Sequence, residues 1–212
     1  MPRFLVLLLL LAATLTLARA VEQRALTSVT SIANFDRFAC STPNKLGFEV
    51  RQNVRTYQVF FGRMYLLEPG LGNGLVPVGV APSSGRNVAA YIQTTDPFVV
   101  PFITIPPGKT NVTSFDVASF NFGCVYGPGA GSAKALSVCI VTVFGYNNGR
   151  CVTSQKLTFQ PGRTTNAKMT KAQLNSAFKN LDRVEFATTY HSTVKQGGAT
   201  YIDDVKYTVH ER

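Results

Sequence analysis

The sequence predicts an all-β fold, an antiparallel two-sheet jelly-roll β-sandwich with one short helix. Three observations lead there. Short runs of β-branched and aromatic residues recur between Gly, Pro and Asn punctuation. Apolar and polar residues alternate within them, as Leu46, Phe48 and Val50 do, and as Val184 and Phe186 do around Glu185. Acidic motifs stand at the two ends, Asn34-Phe35-Asp36 and Tyr201-Ile202-Asp203-Asp204-Val205. In a jelly roll the first and last strands are neighbours, so an acid from each end can meet the other.

Taken in order, residues 1–20 read as a signal peptide. Arg3 precedes an apolar run from Phe4 to Leu11, and Ala18-Arg19-Ala20 offers the small-x-small cleavage pattern. The run is too short for a membrane span, and the sequence closes on Thr208-Val209-His210-Glu211-Arg212 without an apolar tail. A secreted, extracellular product is the expectation. Residues 21–33 are polar and weakly periodic, a flexible lead-in or a short extra strand. Residues 34–212 form one sandwich domain.

Besides the segments around Leu46 to Val50 and Val184 to Phe186, strands are expected from Tyr57 to Met64, Val88 to Gln93, Val99 to Ile105, Ser114 to Phe122, Leu136 to Tyr146, Cys151 to Phe159 and Tyr201 to Val209. Asn147-Asn148-Gly149 joins two of them, and Asn-Gly favours the positive backbone angles of a tight hairpin turn. Phe115, Val117, Phe120 and Phe122 slip by one residue in their alternation, which a bulge between Val117 and Phe120 repairs. The helix is expected over Thr170 to Phe178, where a Thr-x-x-Gln capping box precedes Leu174 and Phe178 at a spacing of four.

Four cysteines, Cys40, Cys124, Cys139 and Cys151, read as two disulfides in an oxidising compartment, with three pairings open. The favoured set joins Cys124 to Cys139, because the loop Gly127-Pro128-Gly129-Ala130-Gly131 lets two antiparallel strands fold back side by side, and leaves Cys40 for Cys151. Asn111-Val112-Thr113 is a glycosylation acceptor placed after the Pro106-Pro107-Gly108 turn. The formal charge of +10 falls by two when Arg3 and Arg19 are removed, and the remainder favours acidic partners. Lys and Arg are scattered rather than clustered among aromatics, so nucleic acid is not an expected partner.

At this point the chain resembles a known architecture. Asn34-Phe35-Asp36 and Tyr201-Ile202-Asp203-Asp204-Val205 resemble the opening and closing motifs of galactose-binding-like jelly-roll carbohydrate-binding modules. The segments Phe115-Asp116-Val117-Ala118-Ser119-Phe120-Asn121-Phe122-Gly123-Cys124 and Phe178-Lys179-Asn180-Leu181-Asp182-Arg183-Val184-Glu185-Phe186 are similar to a group of secreted fungal proteins. The resemblance implies a structural calcium held by Asp36 and Asp203, with backbone carbonyls completing the shell. It also implies a non-catalytic protein that recognises cell-wall or host-surface carbohydrate.

The residues themselves supply few parts for catalysis. Glu49 and Glu185 sit on expected strands that a sandwich can bring together, and they read as solvated outward side chains rather than a hydrolytic pair. His191 and His210 have no motif context for nucleophilic chemistry. Sugar recognition uses aromatic faces, and with no Trp the candidates are Tyr65, Tyr91, Tyr126, Tyr146 and Tyr190. Tyr126 and Tyr146 flank the hairpin of the favoured disulfide, so that with Tyr190 they are expected to line one rim. The alternatives are an effector or adhesion protein that recognises a host protein through its loops, and a cryptic glycoside hydrolase.

Overall fold

The computed structural model describes residues 27–38, 58–69, 79–92, 100–106, 108, 111–126, 135–162, 166–191 and 198–212. Two antiparallel sheets face one another. One has seven strands. Its path runs β12 (Thr170–Gln173), β7 (Val112–Tyr126), β14 (Gly198–Glu211), β5 (Val88–Ile92) and β3 (Tyr65–Leu67), with β1 (Thr27–Ala33) beside β14 and β8 (Ala135–Leu136) beside β7. The five-stranded sheet runs β10 (Arg150–Phe159), β9 (Cys139–Asn147), β13 (Arg183–Tyr190), β6 (Phe102–Thr104) and β2 (Phe60–Gly62). A small parallel pair, β4 (Gly79–Ala81) with β11 (Asn166–Lys168), packs on the seven-stranded sheet, where the Val80 side chain fills the space that a Cβ at Gly123 would need.

The first and last described strands lie side by side, with Thr27 opposite Glu211 and Ala33 opposite Val205. Within residues 21–33, Thr27 to Ala33 form a strand, the second of the two readings of that segment. Alternation sorts the core as period two requires: Val141, Val143, Val184, Phe186, Ile103 and Phe61 point inward from the five-stranded sheet, and Phe115, Val117, Phe120 and Phe122 from β7. The β7 bulge falls at Ala118, between the pairs Ser119 with Lys206 and Val117 with Tyr207. The β9–β10 hairpin turns on Asn148 and Gly149, both at positive φ, with Asn147 paired to Arg150.

The expected helix is a correction. Thr170 to Gln173 is a strand, paired with Ser119 to Phe122 of β7, and no helix occurs among the described residues. The free backbone edge of β7 takes up these residues. Gln155 then holds the end of the strand, its Nε2 donating to the Gln173 carbonyl and its Oε1 accepting from the Asn175 amide. The following turn is closed by Asn175 Oδ1, which accepts from the Ala177 amide. Leu174 and Phe178 are buried against the core without a helix to carry them.

Cys124 and Cys139 form a disulfide. It joins β7 to β9 and so ties one sheet to the other, rather than bracing two adjacent strands as the sequence suggested. The strand that folds back beside β7 is the two-residue β8. Cys151 carries a free, exposed thiol, and Cys40 lies outside the described residues. Residues 46–50 with Glu49, and the glycine-rich loop, lie outside them too. Asn111 is exposed where β7 begins, and its carbonyl accepts from the Arg212 amide.

Candidate functional site

Asp36 and Asp203 meet on one loop, residues 83–87. Asp36 Oδ1 accepts from the amides of Arg86 at 2.7 Å and Asn87 at 3.1 Å, and its Oδ2 lies 3.3 Å from Ser84 Oγ. Asp203 is fully buried. Its Oδ2 accepts from the amides of Ser83 at 2.9 Å and Ser84 at 3.0 Å, and its Oδ1 from the amide of Asp204 at 2.8 Å. Asp204, in a bulge of β14 at φ 48°, accepts from Ser84 Oγ at 2.8 Å and from Asn121 Nδ2 at 3.1 Å. Gly85 has φ 42°, and a Cβ there would lie 2.2 Å from the Asp36 carboxyl carbon. Only glycine lets the loop approach so closely.

Burial pushes the Asp203 carboxyl up to about 7; the charge of Asp204 adds to the rise, while the amides of Ser84, Asp204 and Ser83 oppose it. Calcium needs bare oxygens. Three of the four oxygens of Asp36 and Asp203 accept from backbone amides, and the fourth, Asp36 Oδ2, competes with Asp204 Oδ1 for the single Ser84 hydroxyl proton. The 83–87 loop and the Asp204 amide thus supply donors to both acids from the chain itself. Among the described residues, no group of three or more His, Cys, Asp or Glu is arranged to hold a metal ion. The acids serve as a polar clasp that fastens the turn after β1 and the last described strand to the 83–87 loop.

The open outer face of the five-stranded sheet is different in character. Strand register builds two adjacent rows across it. The first is Phe60, Thr104, Arg183 and Tyr146; the second is Gly62, Phe102, Glu185 and Phe144. All of these except Gly62 are half-buried side chains, opposite in parity to the core residues between them. The Phe102 ring lies over Gly62, where a Cβ would come within 2.2 Å of it, and stacks beside Phe60 at a centroid distance of 5.9 Å. The Arg183 guanidinium sits 4.0 Å from the Phe102 centroid. Arg183 Nε donates to Glu185 Oε1 at 2.7 Å. Tyr146 donates its hydroxyl to Glu185; partial burial first, and then that bond and the carboxylate charge, push the phenol up to about 12. Rings, a cation and a carboxylate thus form one continuous strip spanning roughly 14 Å, three strand spacings.

Of the five tyrosines singled out by sequence, Tyr146 alone lies on this face. Tyr91 and Tyr190 are corrections. Both point between the sheets, where Tyr91 Oη is 2.8 Å from Thr188 Oγ1 and Tyr190 Oη is 2.8 Å from Thr200 Oγ1. Burial raises both phenols, Tyr91 to about 12. Tyr65 is 38% exposed on β3 of the other sheet, and Tyr126 is half-buried where β7 ends. The single rim does not form: Tyr190 pairs with Cys139 and Tyr146 stands seven residues along β9, roughly 24 Å away. Glu185 is tied to Arg183 and Tyr146, and Glu49 lies outside the described residues. His191 is exposed, and His210 Nε2 lies 3.0 Å from Asp116 Oδ1 on the seven-stranded sheet.

The sequence reading overlooked Phe60, Phe102, Phe144 and Arg183. Their signal was parity. Phe144 stands between the core residue Val143 and Gly145, so a strand whose valines point inward must turn that ring outward.

No protein-family model matches this chain, and no curated protein does. Solved structures share its fold. A DUF4465 family protein from Bacteroides caccae superposes with a TM-score of 0.52 at 14% identity, over 87% of this chain and 100% of its own. A family 29 carbohydrate binding module gives a TM-score of 0.38 at 11% identity, over 87% and 93%. The CBM22-2 xylan-binding domain from Paenibacillus barcinonensis Xyn10C gives 0.37 at 13%, over 84% and 98%. The likeness is one of fold, and the first of the three carries it.

Proposed function

We propose that this protein is a secreted, non-catalytic carbohydrate-binding module that seats a glycan along the outer face of its five-stranded sheet. The observation that carries the reading is the strip of Phe60, Phe102, Arg183, Glu185 and Tyr146. Aromatic faces pack against the C–H faces of pyranose rings, while a guanidinium and a carboxylate fixed by each other present hydrogen-bonding groups to hydroxyls. The inter-sheet disulfide and the exposed Asn111 acceptor agree with an extracellular setting.

The test is binding of purified protein to neutral soluble polysaccharides such as xylan and glucomannan, measured by calorimetry. Phe102→Ala and Tyr146→Ala are each expected to weaken binding about tenfold or more, as loss of a stacking ring does elsewhere. Their urea midpoints should move little, because both rings are partly exposed. Unchanged affinity in both variants would remove the strip from the function, and release of new reducing ends would make the protein a hydrolase.

The clasp is proposed to work without calcium. Excess chelator is expected to leave the melting temperature unchanged, whereas a fall of several degrees would return an ion to Asp36 and Asp203.

A protein partner is the second reading. What favours it is β1, an uncharged strand at a sheet edge among the described residues, with Val29 41% and Ile32 56% exposed. Capture of a protein that persists when glycans are stripped from it would support that reading over the first.

A further inference from the structure

Gly62 stands in β2 without a backbone reason to be glycine. It is not among the glycines at positive φ, and it pairs in ordinary antiparallel register with Phe102 of β6. On propensity alone, a β-branched residue would strengthen the strand there. What the missing side chain leaves is room for a ring: a Cβ at Gly62 would lie 2.2 Å from Phe102 Cζ and 2.6 Å from both of its Cε atoms. Glycine inside a strand often marks a place where another group must come close to the backbone. Here that group is the tip of the Phe102 ring, on the outer face of the five-stranded sheet.

The ring carries the rest of the strip with it. Phe60 stacks beside it at a centroid distance of 5.9 Å, and the Arg183 guanidinium sits 4.0 Å from its centroid. Arg183 Nε in turn donates to Glu185 Oε1, and Glu185 accepts from the Tyr146 hydroxyl. We propose that Gly62 is a positioning residue for glycan binding: by letting Phe102 lie over β2, it sets the place of that ring and, through Arg183, of the polar pair beside it. This inference rests on the carbohydrate reading of the strip. A methyl group at position 62 would push the ring tip away by about 1 Å or more, since carbon atoms in contact rest about 3.5–4.0 Å apart. The displaced atoms are the far end of a half-buried side chain, so the fold can accommodate the change where the binding face cannot.

The experiment is a double-mutant cycle on the full chain, with Gly62→Ala, Phe102→Ala and the two combined, read by calorimetry against xylan and glucomannan. Gly62→Ala is expected to weaken binding about tenfold, as loss of the Phe102 ring itself does, while its urea midpoint moves little. The combined variant should bind no worse than Phe102→Ala alone, because a methyl group at position 62 has nothing to displace once the ring is gone. Nuclear magnetic resonance supplies a readout that a bracing role would not move: the Arg183 side-chain signals, shifted by the ring beneath the guanidinium, should change in Gly62→Ala toward their positions in Phe102→Ala. Losses that add in the combined variant overturn the inference. So does a Gly62→Ala protein that unfolds, or that loses binding with its Arg183 signals unmoved, since the glycine would then be a structural brace. The two failures are distinct. Phe102→Ala binding like the wild type would sink the strip reading itself, whereas a weakened Phe102→Ala beside an unaffected Gly62→Ala overturns this inference alone.

Discussion

Replacing Cys124 and Cys139 together with alanine is expected to lower the unfolding free energy by about 3 kcal/mol, the chain-entropy value for a closed loop of this size. The bridge links residues 15 apart in sequence and joins β7 of one sheet to β9 of the other. Both cysteines are completely buried, so loss of their sulfur contacts adds to the effect. Urea unfolding of the wild type with and without reductant is the measurement, and the reduced protein should match the double variant. Cys151 supplies an internal control, since its exposed thiol should react with a thiol reagent in the native state while the other two stay protected. A midpoint indifferent to reductant would mean that the bridge does not hold the sheets together.

Asp203→Ala should cost more, about 4 kcal/mol. The change leaves the Ser83, Ser84 and Asp204 amides without their acceptor in a buried place, and each stranded donor carries a desolvation penalty. The clasp would then hold the loop through Asp36 and Asp204 alone. Asp203→Asn retains one oxygen and should cost less. The sign of the pH dependence follows from the carboxyl being raised to about 7 in the folded chain. Its contribution is fully present below the unfolded value near 3.8, declines as pH climbs, and is lost once pH passes about 7. The stability advantage of wild type over Asp203→Asn should therefore be larger at pH 4.5 than at pH 8. An advantage that grows with pH would show that the ionised carboxylate is the form the amides stabilise.

The meeting of Asp36 with Asp203 was legible because a jelly roll brings its end strands together, and an acidic motif stands at each end of the sandwich. What they do there was not legible. Whether a carboxylate faces a cation or a row of amides depends on the 83–87 loop, and nothing in Ser83-Ser84-Gly85-Arg86-Asn87 announces that it wraps around both acids. The hairpin at Asn148-Gly149 and the bulge at Ala118 were readable from local chemistry and from a slipped alternation. The segment 170–178 was misread because its helical signals are local, while the edge of β7 that claims it lies some fifty residues earlier in the chain.

The site shows the same division. Tyr146 was found by residue type, but Phe60 and Phe102 were passed over inside expected strands. On a sandwich, parity decides, and parity depends on register. Phe102 is turned outward because Ile103 is buried, and it finds room because its neighbour across the pair is Gly62. Arg183 gains its meaning only when β13 is set beside β6, which places the guanidinium over that ring.

Hydrogen exchange of the full chain with and without a bound polysaccharide tests the central claim most directly. Ligand should slow exchange in β6, β9 and β13, the strands that carry Phe102, Phe144, Tyr146, Arg183 and Glu185, and leave the seven-stranded sheet unaffected. Protection confined instead to the end of the sandwich that bears Tyr126 and Tyr190, or to β1, would contradict a glycan seated on the five-stranded face.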